Sequence, residues 1–304
     1  MSKKYLVTIG GGSGQPELLR YLKAYEVDLT AMVTTMDSGG STGLLRQQYD
    51  ILSMGDVRKC LVALADNQDV AATWNFRFSH GVLAGHTCGN LILASYLQLH
   101  SMQESIDLCR KMLNISHTVL PITEDKTDLE AILENGQEIF GEVNIDIPKH
   151  DASLHIEKLT LSEKAAAPKS VIKAIASADY IVFTMGDLYT SILPNLLVDG
   201  VTRALKKTEA PLIAICNRTT KKGETHDFTT RNFYEVLTEY LDGAKLSYML
   251  IDNGEVSVPS AFQKVVHTEI PADTRVIQLD LGDNAKPQYI SGKKAAQALI
   301  DLCV

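Results

Sequence analysis

Short apolar runs that break off at glycine or at a polar turn, then give way to a helical pattern, recur along most of this chain. Such alternation builds βαβ units, which pack as a mainly parallel sheet with helices on both faces. The first unit sets the pattern. Tyr5–Ile9 reads as a buried strand and Gly10-Gly11-Gly12-Ser13-Gly14 as the turn after it. Pro16 suits the first turn of a helix that continues through Leu18, Leu19 and Leu22. A second strand is expected over Leu29–Met36, ending at Asp37-Ser38-Gly39-Gly40-Ser41-Thr42-Gly43, another glycine-rich turn.

Helices are then expected over Asp56–Ala65, around Trp74–Phe78, over Asn90–Leu99 and over about 101–113, the last opened by a Ser101/Glu104 capping box. Val119–Ile122 reads as a strand. There the alternation lapses. Leu129–Leu133, the Asn135-Gly136 pair and Glu138–Ile145 predict a hairpin with a type I′ turn, and His155–Leu161 a third strand beside it. From Pro168 the α/β pattern returns: a helix over about 169–177, a strand Tyr180–Thr184, a long helix over about 190–206 and a strand Leu212–Cys216. A helix Asn232–Leu241, strands Leu246–Ile251 and Val276–Leu281, and a helix over about 293–302 complete it. The expectation is one doubly wound, mainly parallel α/β domain over residues 1–304, with a β-rich insertion near 123–165.

Composition narrows the function classes. The 304 residues are 45% hydrophobic, enough for a packed core, and no apolar stretch approaches a membrane span. The amino-terminal apolar run stops at glycine after a few residues, so it reads as a strand rather than a signal peptide, with the cytoplasm as the expected location. Five cysteines, none closely spaced, argue against disulfides and against a Cys-x-x-Cys zinc site. A net charge of −8 without a long basic run gives no footprint for nucleic acid. The partner expected is a small molecule, and a homodimer is the default assembly.

In a doubly wound sheet the ligand site is built by loops at the carboxyl ends of the strands. Six loops here carry suitable groups. In the first, the dinucleotide fingerprint G-x-G-x-x-G fails, because Gln15 stands in the third glycine's place counting from Gly10, and Glu17 counting from Gly12; no Walker A lysine follows either. Gly10, Gly11, Gly12, Ser13 and Gly14 still allow close backbone approach, and the helix behind them offers amides to an anion. A tight turn without a ligand is the other reading. In the second, Asp37 beside Gly39, Gly40 and Ser41 can face a ribose, a Mg²⁺ shell or an attacking hydroxyl, or simply bond its own turn. In the third, Asp56 reads as a helix cap, while Arg58 and Lys59 go against the helix dipole, either as a solvated pair or as a phosphate ligand. In the fourth, His86 and Asn90 stand one turn apart and can reach a common point, though a helix cap with a packed histidine is the reading this stretch favours on its own. In the fifth, Asp187 ends a strand and Tyr189, Thr190 and Ser191 open a helix, a second anion-binding geometry. In the sixth, Asn217 and Arg218 sit at a strand end, and Glu224, His226 and Asp227 read as a solvated loop. No nucleophile elbow is present.

The stretches IGGGSG, TTMDSGGSTGLLR, MGDVRKCLVALAD, GHTCGNLILA, LYTSILPNLLV and NRTTKKGETHDF, in this order from about residue 8 to about 228, resemble one family. It holds the 2-phospho-L-lactate transferases and the gluconeogenesis factors (CofD-like and YvcK-like proteins), and the long third and fifth stretches are closer to the latter. The resemblance implies a modified Rossmann-like fold with a nucleotide or nucleotide-sugar site. In the transferase branch it implies joining a phospholactyl group to a deazaflavin with Mg²⁺. In the other it implies binding UDP-sugars and supporting cell-wall synthesis and cell shape on gluconeogenic carbon. Carried over by position, Gly10–Gly14 would line the phosphates and Asp37 would face a metal or hydroxyl. Asn90, Tyr189, Thr190, Ser191 and Asn217 would shape the nucleotide pocket.

Three positions depart from the family's pattern. Ser38 stands where a second acid is usual, which weakens a Mg²⁺ site. Thr184-Met185-Gly186-Asp187 replaces Gly-Pro-Gly-Ser, setting a negative charge near a supposed phosphate. His226 interrupts the order Gly-Glu-Thr-Asp. A UDP-sugar-binding protein is thus the leading expectation, ahead of an Mg²⁺-dependent phospho-group transferase with Asp37 as catalytic and metal-facing acid. A plain NAD(P) enzyme comes last, for want of the third glycine.

Overall fold

The computed structural model describes residues 3–255, 257–260 and 262–303. β1 (Lys4–Gly10) is buried beyond Tyr5 and leads into α1 (Gly14–Leu22), whose Leu18, Leu19 and Leu22 lie in the core. Gln15 explains the missing glycine. It is fully buried, and its amide nitrogen donates to Thr8 O at 3.3 Å, Thr8 Oγ1 at 3.1 Å and Met32 O at 2.9 Å. The last of these is on β2 (Val27–Val33), so one side chain ties helix and two strands together. β2 stops at Val33 rather than at Met36, because its register partners end there: Gly10 on β1 and, after the helices that intervene, Pro121 on the far strand.

Five helices separate those strands. α2 (Gly40–Tyr49) was not expected, since its glycines hide the helical pattern. α3 (Gly55–Leu64) follows it. α4 (Gln68–Asn75) replaces the helix expected around Trp74–Phe78. The Asn67 carboxamide oxygen caps it early by accepting from the Asp69 and Val70 amides, and at Phe76 the chain turns extended. The chain then loops out and returns, bridging Arg77 to Thr87, before α5 (Cys88–Leu97). α6 (Met102–Met112) has the Ser101/Glu104 capping box, and β3 (Thr118–Pro121) follows.

The insertion is an antiparallel three-stranded sheet of β4 (Leu129–Leu133), β5 (Glu138–Phe140) and β6 (Ile156–Leu161), in the order β5-β4-β6. Two expectations fail here. The turn is not type I′: Gly136 has φ +82 but Asn135 is not among the positive-φ residues, and its side chain accepts from the Gln137 amide instead. β5 also ends at Phe140, because Gly141 turns the chain at φ +84 into the short helix α7 (Glu142–Asp146).

Alternation resumes with α8 (Lys169–Ser177) and β7 (Tyr180–Phe183). The expected long helix over 190–206 is broken into a π-helical turn at Leu188–Ile192, α9 (Leu193–Leu196) and α10 (Val201–Leu205). Asp199 leaves the helical path to bond backbone with Ala165 and Ala167, and Gly200 recovers it at φ +94. β8 (Leu212–Ile215), α11 (Thr230–Tyr240), β9 (Leu246–Asp252), β10 (Arg275–Leu279) and α12 (Gly292–Cys303) complete the chain.

Seven strands form the main sheet in the order β10-β9-β8-β7-β1-β2-β3, each neighbouring pair parallel. The chain winds outward from β1 to β3, returns to β7, and winds outward the other way. Direction reverses between β1 and β7, and that crevice is where such folds hold ligands. Two apolar cores fill the two faces. One contains α1, α3 and α12, and the other joins β7 and α11 to the inserted sheet. Among the described residues, no helix is long and apolar enough to cross a membrane.

Candidate functional site

A cleft of about 1200 Å³ opens at the crevice between β1 and β7. Ser13 and Gly14, at the amino end of α1, form one wall; Gly186, Asp187 and Ser191 form the floor, and Asn217 the start of the next wall. Of the expected site residues, Ser13, Gly14, Asp187, Ser191 and Asn217 are thus brought together. The Asn217 carboxamide pairs with the Gly186 peptide, donating to its oxygen at 2.7 Å and accepting from its nitrogen at 3.3 Å. It fixes the strand end that carries Asp187.

The glycines of the opening turn have a packing reason of their own. A Cβ on Gly10 would stand 2.2 Å from Thr184 Oγ1, and one on Gly14 only 1.5 Å from the Met185 carbonyl oxygen. Gly11 is hemmed in by Thr34 and Asp56. The turn therefore lies directly against the end of β7. Gly12, at φ +62, donates its amide to Asp56 Oδ2 at 2.6 Å.

That bond corrects the reading of Asp56 as a cap. α3 begins at Gly55 with Met54 in the cap position and no side-chain cap. The Asp56 carboxylate instead reaches across to Gly12 and to Lys59 Nζ, 2.8 Å away. It also faces Asp37. Gly55 makes room for this, since a Cβ there would stand 2.5 Å from Asp37 Oδ2. Burial first, and the Asp56 charge second, push the Asp37 pKa up to about 6. A third carboxylate comes from α7: Glu142 accepts from the Ser38 amide at 3.1 Å, and burial together with Asp37 pushes its pKa up to about 8. Ser38 thus lacks an acid in sequence but acquires one in space, while its hydroxyl accepts from the Val143 amide at 3.0 Å.

At the cleft, Lys221 meets Asp146, Asp187 at 2.9 Å and Glu224 at 2.7 Å. Among the described residues these three carboxylates are the group with oxygens within 4.8 Å of one another that a metal could use; Asp37 is not in it. The lysine ammonium holds that position here. Burial works against its charge, but Glu224 and Asp187 outweigh it and push its pKa upward. The expectation of a solvated loop fails for Glu224, which is 1% exposed, with its pKa pushed up to about 8 by burial and then by Asp187. His226 likewise stacks on His155, ring centroids 4.1 Å apart.

The remaining expected residues form a second cluster or lie in the core. His86 Nδ1 and Asn90 Nδ2 do reach one atom, each 3.0 Å from Ser41 Oγ. This joins the amino ends of α2 and α5 beside Gly39 and Gly40. Arg58 is buried against α5 and bonds the Asn75 carboxamide. Tyr189 is not in the cleft: it is 3% exposed, bonds the Ile156 carbonyl at 3.4 Å and packs on Phe228. Thr190 is buried too.

This geometry matches known proteins. The family model described as 2-phospho-L-lactate transferase CofD matches residues 6–287. The chain belongs to the CofD family. Within it, a Thermotoga maritima protein described as "Putative gluconeogenesis factor" is 38% identical over 255 residues, 83% of this chain and 80% of that one. A "Gluconeogenesis factor" of Halalkalibacterium halodurans is 37% identical over 261 residues, covering 84% and 80%. A crystal structure of a UPF0052 family member from Bacillus halodurans superposes with a TM-score of 0.92 at 31% identity, over 99% of both chains.

Of this CofD-family site, sequence reasoning missed Asp56 as a partner of Asp37, and Glu142, Asp146 and Lys221 altogether. A signal existed for Asp56, since a carboxylate in a first helical turn is free to leave the helix. Glu142 and Asp146 lie in an insertion with no motif, and only the folded contacts bring them to the site.

Proposed function

We propose that the cleft binds a nucleotide-sugar, with a UDP-sugar as the first candidate, and that the protein supports cell-wall synthesis and cell shape during growth on gluconeogenic carbon. The observation that carries this reading is the cleft's place at the switch point, with the amino end of α1 at one wall. Lys222 and Lys286 also line it and make no ion pair among the described residues, leaving two cationic side chains for a diphosphate. The names of the relatives fit the same reading. Calorimetric titration with UDP-N-acetylglucosamine, UDP-glucose, GDP and NADP, with and without Mg²⁺, tests it. Saturable UDP-sugar binding that ignores Mg²⁺ is expected; silence from both UDP-sugars would overturn it.

A second reading is an Mg²⁺-dependent transferase that forms a phosphodiester from a nucleotide-activated donor. What favours it is the Asp37–Asp56 pair beside the opening turn, together with the match to a transferase family model. Carboxylate oxygens are the type a hard dication takes, and with only two acids here the rest of its shell would come from the ligand and water. Asp37 and Asp56 would hold the ion, and it would supply charge stabilisation at a phosphoryl oxygen. Mg²⁺-dependent GDP binding that Asp37→Asn abolishes, with an unchanged thermal transition, would favour this reading over the first.

A further inference from the structure

Arg58 is 6% exposed, and its Nε has no hydrogen-bond partner among the described residues. Among the described residues neither Arg58 nor Arg77 makes an ion pair with any carboxylate. Arg58 is held in place by packing. Its side chain lies across Gly89 in the first turn of α5, where a Cβ would come within 2.9 Å of Arg58 Cδ, and Trp74 backs it. Among the described residues its guanidinium makes one hydrogen bond, to a neutral group, the Asn75 carboxamide. Arg77, on the loop after α4, bridges backbone with Thr87, the cap of α5, and donates to the Gly85 carbonyl, so both arginines border the first turn of that helix. A buried guanidinium bonded only to a neutral group is unfavourable unless something negative arrives.

The surroundings favour that arrival. The amino ends of two ten-residue helices, α2 and α5, meet here through Ser41, His86 and Asn90. None of Arg58, Arg77, His86 and Asn90 lines the cleft. The acids Asp56 and Asp37 are close enough to act on the Arg58 charge without bonding it.

We propose that Arg58 and Arg77, over the amino end of α5, form a second anion site that takes the phosphate group of a small phosphorylated molecule, separate from the cleft and beside the Asp37–Asp56 pair. Two planar guanidinium forks and a helix amino end suit a tetrahedral oxyanion, which can accept from several directions at once. The protein then holds two ligands, one in the cleft and one here. This goes beyond the reading of the cleft and does not rest on it.

Titration of the full chain with inorganic phosphate at low ionic strength, read by calorimetry and ³¹P line broadening, tests the site. Saturable binding is expected in the wild type, weakened at least fivefold in Arg77→Ala and at least tenfold in Arg58→Lys. Arg77 is exposed, so its variant should fold even if the buried one does not. Acetate should bind at least fivefold more weakly than phosphate. Equal phosphate affinity in Arg77→Ala and wild type, no saturable phosphate binding at all, or acetate binding as well as phosphate would each overturn the proposal. UDP-N-acetylglucosamine binding should be the same in Arg77→Ala as in wild type. If that sugar binds neither protein, the cleft reading fails while the phosphate arm still decides this one.

Discussion

Around the cleft, Lys221 gathers Asp146, Asp187 and Glu224, so every charge it brings together has an opposite close by. Around Asp37 the ratio is the same, three acids to one ammonium, but that ammonium bonds only Asp56. Asp37, Asp56 and Glu142 crowd together with Lys59 as their one close ammonium, while Arg58 and Arg77 lie nearby without a carboxylate. A region whose acids all share one ammonium is held by it before any ligand comes. A region whose charges are kept apart gains more when something arrives to complete them. The difference separates what shapes this site from what is left to react to a ligand.

The comparison can be broken most severely at its hinge. Gly14→Ala should disturb both regions, because its Cβ has no space against Met185 O at 1.5 Å. A loss of roughly 3 kcal/mol is expected, read as a fall of about 5 °C in thermal midpoint for a chain of this length; an unchanged midpoint would mean the turn does not lie on β7 as described. Next comes Lys221→Met, which leaves three carboxylates without their counter-charge. With Lys221 partly exposed the loss should be about 2 kcal/mol, and greater at pH 8 than at pH 5, where the buried Glu224 already holds a proton. An equal loss at both values would show that Lys221 matters by packing rather than by charge.

Glu142→Gln sharpens the contrast from the other cluster. The folded chain keeps a proton on Glu142 up to about pH 8, whereas an unfolded chain releases it near 4.5. Stability carried by that proton therefore falls as pH rises through this window and levels off above about 8. The glutamine variant should show a flatter midpoint-against-pH curve over the window; a curve parallel to the wild type would remove Glu142 from the cluster. The smallest effect belongs to Tyr189→Phe, which loses one long hydrogen bond in the core. About 1 kcal/mol or less is expected, with ligand affinity unchanged in calorimetry.

The strands of the main sheet were legible because a buried parallel strand is a run of apolar residues, and β1, β7, β8 and β9 are little else. The capping box at Ser101 and Glu104 was legible for the same reason: a local pattern with a local cause. α2 was not, since Gly39, Gly40 and Gly43 read as a turn, and Gly43 is needed only because the Ser38 carbonyl oxygen would stand 2.1 Å from its Cβ. The break in the helix over 190–206 has its cause in Ala165 and Ala167, more than thirty residues back in the chain. The site divides likewise. Loops at strand ends could be named from the sequence, and so could the meeting of His86 with Asn90. Tyr189 could not be placed, because a tyrosine at a helix start reads alike whether its ring turns to the cleft or to the core. Nor could Asp56 be paired with Asp37, or Lys221 with its three acids, without the fold.

Gln15 carries a lesson for redesign. Glycine there would complete G-x-G-x-x-G from Gly10, and a motif search would then score the chain as a dinucleotide binder. The side chain removed, however, supplies the donor for Thr8 O and Met32 O and fills a fully buried space between α1 and the sheet. The edited protein would carry the right letters around a hole, without the bonds that tie α1 to β1 and β2, so a cofactor swap in this scaffold would have to begin with the residues that border that space.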